Sequence, residues 1–336
     1  MGMCARITMT ISGQRARRTS NVHQGRNTSS GFDLKRIFAG LYMLGCMVTA
    51  AASAAAQPAD SMLGLIIGEQ WSELDMIAHE RLAADPLDGI GLHALARKSV
   101  DGDVGSDEQR MALLPKIEAC LAARPNDGLC HLAYGQVLGA QLKSLTMFDA
   151  LGSVSKVPES FEAAVAADPS SFDARESAVT FYIRAPSIVG GSLRKAYRHV
   201  DQYAKINPDY AGLLYVLIAL EEKDLPKAKA LLTKLPAESS DPVLDQMIAK
   251  RWLALGLAYL DAGDYASARA ALAHGVAHGA PSVAGQSHWG LGRIAQAQGH
   301  PEEAIDEYRA FLAFDPNASG KPAEEARASL RQLGTN

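Results

Sequence analysis

Apolar residues in this chain recur three and four positions apart over most of its length, with short polar breaks between the runs. This spacing puts them on one face of a helix and predicts amphipathic helices. Prolines end the runs at intervals of 34 to 44 positions: Pro86, Pro125, Pro169, Pro208, Pro242, Pro281 and Pro316. A recurring interval of this size indicates a repeat architecture.

Most of these prolines follow Asp or Asn, as in Asp85-Pro86 and Asn207-Pro208. Proline cannot continue a helix and pushes the preceding residue out of the α region, so each dipeptide ends one helix and directs the next. A second break with Gly, Asp or Asn lies in the middle of most intervals. We therefore predict that each unit is a helical hairpin and that residues 57–336 form one all-α repeat domain.

The clearest unit has bulky and small residues at fixed offsets: Trp252, Leu255, Gly256, Tyr259, Ala268 and Leu272. This unit resembles the tetratricopeptide repeat, whose pattern is W-x2-L-G-x2-Y followed by A-x3-F, with Leu272 in place of the aromatic residue. The next unit repeats part of the pattern, with His288 in the tryptophan position. The resemblance implies a right-handed superhelical solenoid of helix-turn-helix repeats. Residues 320–333 are expected to form a terminal capping helix.

Two insertions interrupt the hairpins, at 101–108 and at 185–191. The second contains Pro186 and the pair Gly190-Gly191, and it resembles a turn of tetratricopeptide proteins of bacterial envelopes. Glycine tolerates positive φ, so a tight reversal of the chain is expected there. Residues 143–157 are the least regular part of the repeat region.

The N-terminal 56 residues differ from the rest. Residues 1–36 are polar and are interpreted as a disordered extension or as sequence upstream of the true start codon. Residues 37–56 follow Lys35-Arg36, are apolar and end in small residues, which is the order of a secretory signal cleaved before Gln57. The expected location is therefore periplasmic or secreted. The alternative is an uncleaved anchor in the inner membrane with the repeats outside the cytoplasm; lipidation at Cys46 ranks below cleavage.

Charge excludes one class of partner. Seven of the 33 basic residues and one of the 37 acidic residues lie in the first 56 positions, which leaves 26 basic and 36 acidic residues in the repeat region. An acidic body repels phosphate backbones, so nucleic-acid binding through a broad basic face is not expected.

The sequence offers little for catalysis, and neither an enzyme nor a cofactor is expected. Ser153 and Lys156 have a Ser-x-x-Lys spacing, but the companion motifs of acyl enzymes are missing. His274 and His278 are four positions apart on a helix and are candidate metal ligands. They support the alternative function, an enzyme or metal carrier that uses the repeats as a scaffold. The favoured function is a protein- or peptide-binding scaffold of the cell envelope.

Cys120 and Cys130 each lie five residues from Pro125, on opposite sides of a helix-turn-helix. In an oxidising compartment they could form a disulfide, and two buried free thiols are the alternative.

The resemblance implies that a partner binds the concave side of the solenoid, which the first helix of each unit lines. In each of these helices, the position one residue after those that pack against neighbouring helices is expected to turn toward the concave face. Seven candidates for this face follow: Arg97, Gln136, Thr180, Arg184, Tyr215, Trp289 and Arg293. Arginine pairs bidentately with carboxylates, so a peptide with acidic groups or a free carboxylate is the expected ligand.

Overall fold

The computed structural model describes residues 59–101, 107–141, 154–314 and 320–334. These ranges contain fifteen α-helices and no β-strand. The first seven are α1 (Ala59–Ile67), α2 (Trp71–Ala84), α3 (Gly89–Asp101), α4 (Asp107–Ala123), α5 (Gly128–Gln141), α6 (Lys156–Ala167) and α7 (Phe172–Arg184). The other eight are α8 (Leu193–Tyr203), α9 (Pro208–Glu221), α10 (Leu225–Leu232), α11 (Pro242–Asp261), α12 (Tyr265–His278), α13 (Pro281–Ala297), α14 (Pro301–Phe314) and α15 (Lys321–Gln332).

Several expectations fall outside these ranges: the extension 1–36, the segment 37–56 with its cleavage and lipidation sites, Ser153, Pro316 and most of the irregular segment 143–157. Within the described ranges, no helix combines the length and the apolar character needed to cross a membrane.

Helix starts follow the polar residues of the breaks. Asn207 caps α9 by accepting a hydrogen bond from the backbone N–H of Tyr210, and Asp241 caps α11 in the same way through Val243 and Leu244. These side chains satisfy N–H groups that have no partner inside the helix. Pro208 and Pro242 occupy the first helical position.

The three earlier prolines also separate two helices, but at other positions. Pro86, Pro125 and Pro169 lie in the turn between two helices and not at the first position of a helix. At the third of these turns the cap of α7 is Ser171, whose hydroxyl accepts from the backbone N–H of Ala174. At each of these three turns, two residues therefore lie between the proline and the start of the next helix.

Glycines sit where paired helices approach each other. A methyl group on Gly256 of α11 would come within 2.7 Å of Leu272 on α12, and one on Gly292 of α13 within 2.8 Å of Tyr308 on α14. Since real Cβ contacts are longer, only glycine allows this approach. The small and bulky positions of the repeat are therefore paired across each hairpin, as predicted.

The helices form two layers. The first helices of the pairs are α1, α3, α5, α7, α9, α11 and α13, and each packs on its second helix and on neighbouring first helices. The helix α15 follows the last pair and packs on α13 and α14. The described residues thus form an all-α solenoid of helical pairs with a terminal capping helix, and the fold prediction is confirmed.

The insertion at 185–191 is a tight reversal built around the short 3-10 helix Ser187–Val189. Gly190 has a φ of 101°, and a Cβ on Gly191 would overlap the carbonyl oxygen of Ala185. The backbone N–H of Ser192 then donates to the carbonyl of Tyr182, which closes the loop.

The first helix, α1, contacts the far side of the array. It packs on α2 and α3, and it also meets α11, where Gly64 lies beside Val243. Beyond α1, the Ser282 hydroxyl donates to the Glu69 carboxylate at 2.8 Å. Because α1 reaches α11, the array bends round on itself, and residues from α1, α3, α5, α7 and α9 line one common cavity.

Candidate functional site: the inner face of the first helices

Arg97 on α3 and Gln136 on α5 converge on Asp173 at the start of α7. A guanidinium nitrogen of Arg97 lies 3.5 Å from the Asp173 carboxylate, and the Gln136 amide donates to it at 3.3 Å. The imidazole of His93, one turn before Arg97, approaches the same carboxylate to 3.0 Å. We call His93, Arg97, Gln136 and Asp173 the inner polar centre.

The inner polar centre is buried. His93, Gln136 and Asp173 are 3%, 7% and 8% exposed. Burial alone would raise the pKa of Asp173, but the charge of Arg97 and the contacts of His93 and Gln136 outweigh it and lower the pKa to about 2. Asp173, Asp101 and Glu176 likewise raise the pKa of Arg97 against the effect of burial. The Asp173 carboxylate is therefore ionised and neutralised within the fold.

A second ion pair links first helices further along the array. The guanidinium of Arg251 on α11 pairs with the carboxylate of Glu176 on α7, and its Nε donates to the carbonyl of Leu213 on α9. The side chain of Arg251 thus links α11 to both α7 and α9. Side chains of the protein itself therefore fill much of the inner face between α3 and α11.

Thr180 and Arg184 follow on the later turns of α7. Thr180 is half-buried, and Arg184 is exposed and lies 3.3 Å from the carboxylate of Glu221 at the end of α9. An exposed pair of this kind is weak, so the Arg184 guanidinium can exchange its partner.

Tyr215 does not share the inner face with the others. Its hydroxyl donates to Asp201 at 2.5 Å, and its ring lies beside Tyr197. Both partners belong to α8, the second helix of the preceding pair. Desolvation and the Asp201 carboxylate raise the pKa of Tyr215 to about 12, so the phenol keeps its proton. This placement corrects the predicted inward orientation of Tyr215.

Trp289 and Arg293 lie on the side of α13 that meets the capping helix α15, and both are half-buried. Gly292 and His288 on the same helix face α14, through Tyr308 and Glu307, whereas Gly290 faces Leu257 and Leu272 of the preceding pair. At 100° per residue, Trp289 and Arg293 point between those two packed sides.

The two side chains contact each other. The Arg293 guanidinium lies 4.9 Å from the centre of the Trp289 ring, a cation–π distance, and is 3.3 Å from Glu325 on α15. The indole N–H of Trp289 has no hydrogen-bond partner among the described residues. We call Trp289 and Arg293 the α13 patch. It combines a half-buried aromatic ring with a positive charge, and the unpaired indole N–H is itself buried.

His274 and His278 lie on the outer layer. The His274 ring stacks on Trp252 with centroids 4.3 Å apart, and the two histidine rings are 6.4 Å apart. Desolvation and the neighbouring His278 lower the pKa of His274. Both histidines border a cavity of about 530 Å³ between α11, α12 and the 233–241 linker.

Among the described residues, one group of three potential metal ligands has its ligand atoms close together: Cys120, Asp127 and Cys130. The sulfurs of Cys120 on α4 and Cys130 on α5 are joined as a disulfide, with Cα atoms 6.3 Å apart. Both are fully buried. Disulfide sulfurs cannot serve as thiolate ligands, so this group is a structural link between the two helices.

Comparisons with known proteins agree with this architecture. The tetratricopeptide repeat family matches residues 249–276, which span the end of α11 and most of α12. Residues 249–276 therefore match a tetratricopeptide repeat, and the other described helices also pack in pairs. No curated protein matches the chain in sequence.

Solved structures with a similar course of the chain include three helical-repeat proteins. They are the Cut9-Hcn1 complex of the APC/C (13% identity, 81% of this chain and 48% of that chain, TM-score 0.47), a tetratricopeptide repeat protein from Parabacteroides merdae (12%, 81% and 96%, 0.45) and the type IV pilus biogenesis factor PilW (18%, 71% and 96%, 0.43). The chain spans about half the length of the Cut9-Hcn1 chain that it matches. All three scores lie below 0.5, so the fold assignment rests on the helical pairs of this chain itself.

The sequence analysis missed His93 and Asp173. His93 precedes Arg97 by one helical turn and therefore lies on the same face, a signal that the sequence did contain. Asp173 had no such signal, because its meeting with Arg97 depends on how the array bends between α3 and α7.

Proposed function

We propose that the protein is a scaffold of the bacterial cell envelope that binds a protein or peptide partner on the inner face of its last pairs. The α13 patch carries the proposal, since it places a half-buried aromatic ring and a guanidinium in contact with each other where α13 meets the capping helix α15. Trp and Arg are the side chains that contribute most to protein interfaces.

The inner face divides into two parts in this proposal. Between α3 and α11, the Arg97–Asp173 and Arg251–Glu176 pairs occupy the space that a peptide would need. Partner binding is therefore assigned to Trp289 and Arg293 on α13 and to Arg184 at the C-terminal end of α7, about three turns beyond Asp173, and Arg97 and Gln136 support the fold.

The ligand chemistry follows from two arginines, Arg184, which is exposed, and Arg293, which is half-buried. Arg184 and Arg293 hold Glu221 and Glu325 at 3.3 Å. These pairs lie near solvent, so a partner carboxylate can replace them at small cost. A peptide with acidic side chains or a free C-terminus fits this arrangement, with an apolar group against Trp289.

Export is proposed together with binding. The proposed mature chain begins near Gln57, after the apolar segment 37–56. The buried Cys120–Cys130 disulfide supports an oxidising compartment, because such bonds rarely persist in a reducing cytoplasm.

Affinity capture from an envelope fraction tests the function. The double variant Arg184→Ala/Arg293→Ala is expected to lose the captured partner and to keep its helical content, since side chains near solvent contribute little to stability. Arg309→Ala is the matched control, an exposed arginine on the second helix α14. If the double variant retains the partner and the control loses it, the inner-face proposal is wrong.

A further inference from the structure

Four hydrogen-bonded side chains join α6, α7 and α8. His199 lies in the middle of α8 and is 3% exposed. Its Nε2 atom is 3.1 Å from a carboxylate oxygen of Glu162 on α6, and its Nδ1 atom is 3.2 Å from a guanidinium nitrogen of Arg175 on α7. The Tyr182 hydroxyl on α7 donates to the same Glu162 oxygen at 2.6 Å. We call Glu162, Arg175, Tyr182 and His199 the α8 network.

The two neighbours of His199 determine where its ring carries a proton. A guanidinium can only donate hydrogen bonds, so the Nδ1 atom that faces Arg175 has to accept. An ionised carboxylate can only accept, so the Nε2 atom that faces Glu162 has to carry the proton. Burial raises the pKa of Glu162, but the contacts with Tyr182 and His199 outweigh it and lower the pKa, so this carboxyl is ionised. The hydrogen bonds therefore require a neutral imidazole.

The guanidinium of Arg175 makes a second charge on His199 unfavourable. Arg175 is 4% exposed, and no carboxylate among the described residues forms an ion pair with it. It donates to the amide oxygen of Gln202 at 3.3 Å and lies 5.9 Å from the centre of the Tyr203 ring. A protonated His199 would place a donor opposite a donor and a second positive charge 3.2 Å from the first. Protonation therefore breaks the contact between α7 and α8.

Other charges near His199 do not reverse this preference. Arg198, the next residue on α8, adds a positive charge, and only Glu162 favours the protonated ring. The helix α9 also packs on α8, and its charged side chains, Asp209 and Glu221, lie in its first and last turns. Burial, followed by the charges of Arg175 and Arg198, lowers the pKa of His199 below its ordinary value of 6.5.

We propose that the α8 network is an acid-sensitive contact, which holds α8 against α6 and α7 near neutral pH and loosens when His199 is protonated in mildly acidic solution. The effect extends to the 185–191 insertion, because the carbonyl of Tyr182 accepts the hydrogen bond from Ser192 that closes this loop. The folded state favours the neutral ring. Its stabilisation is therefore present above about pH 6.5 and is lost as the pH falls toward the folded pKa of His199.

Hydrogen exchange of the α8 amides in the full mature chain, between pH 7 and pH 5, tests the proposal. The variant His199→Gln is the non-titrating comparison, since a glutamine amide can accept from Arg175 and donate to Glu162. Both proteins are measured at each pH, so the intrinsic pH dependence of exchange cancels. The ratio of wild-type to variant exchange rates is expected to rise below pH 6.5, by up to about tenfold per pH unit.

A second histidine and a second measurement complete the test. His79→Gln changes an exposed histidine of α2 and should follow the wild type at every pH. An NMR titration of the histidine ring signals in the wild type needs no folded variant, and it should give His199 a pKa below 6.5. The proposal is overturned if His199 titrates at or above 6.5, or if the α8 amides of the wild type and of folded His199→Gln respond equally to pH. Neither measurement involves the α13 patch, so the partner proposal is tested separately.

Discussion

The guanidinium of Arg97 on α3 lies 3.5 Å from the carboxylate of Asp173 on α7. Their side chains are only 15% and 11% exposed. An ion pair in this position joins two helices that belong to different repeats. It couples the bend of the array to the burial of two charges.

Removing one partner of this pair should destabilise the fold. Arg97→Ala leaves the Asp173 carboxylate buried without its main counter-charge, and we expect a loss of about 3 kcal/mol or more in the free energy of unfolding. Urea denaturation followed by circular dichroism measures it. Arg293→Ala, which removes a more exposed pair, is the control and should cost less than about 1 kcal/mol. Equal small losses for both variants would contradict the buried pairing.

The same pair predicts a pH dependence. The pKa of Asp173 is lowered from 3.8 to about 2, so the folded state favours the carboxylate. Its contribution is complete above about pH 4 and is lost as the pH falls toward 2, an effect of about 2 kcal/mol. The stability difference between the wild type and Asp173→Asn should therefore shrink between pH 5 and pH 2 in urea titrations. A difference that does not change with pH would contradict this assignment.

Two glycines of α5 should respond in opposite directions to the same substitution. A Cβ on Gly135 would lie 2.5 Å from the buried Phe161 ring, so Gly135→Ala is expected to cost about 1 to 3 kcal/mol. At Gly139 the nearest atom, on Val157, is at an ordinary 3.5 Å. Gly139→Ala should raise stability by about 0.5 kcal/mol, because alanine favours the helix. Thermal unfolding of both variants checks the pair; a stable Gly135→Ala protein would contradict the close helix contact.

The disulfide predicts a redox effect on stability. Cys120 and Cys130 close a loop with a sequence separation of 10, and such a loop stabilises by about 2 to 3 kcal/mol. Unfolding with and without a reductant should show this difference in the wild type and none in Cys120→Ser/Cys130→Ser. Two free thiols in unreduced, unfolded protein would remove the bond from the account.

Local sequence determined the hairpins but not the contents of the inner face. Gly256 and Leu272 revealed a close helix pair, because both positions of that contact lie within one repeat. The Tyr215 error was avoidable: Tyr215 precedes Ala228 by the same interval as Leu255 precedes Ala268, so it occupies a packing position. The inner polar centre was harder to predict from the sequence, since its members come from three repeats and meet only through the bend of the array. The contact of α1 with α11 also depends on this bend, so the sequence did not predict it either.

The central claim is that a partner binds beside Trp289 and Arg293, and site-specific photo-crosslinking tests it most directly. Gln286 is exposed, lies one turn before Trp289 on the same side of α13, and can carry the crosslinker without disturbing the patch. The same crosslinker at Arg309 on α14 is the outer-layer control. In envelope fractions we expect a partner adduct from position 286 and none from position 309. An adduct from position 309 with none from position 286 would contradict the account.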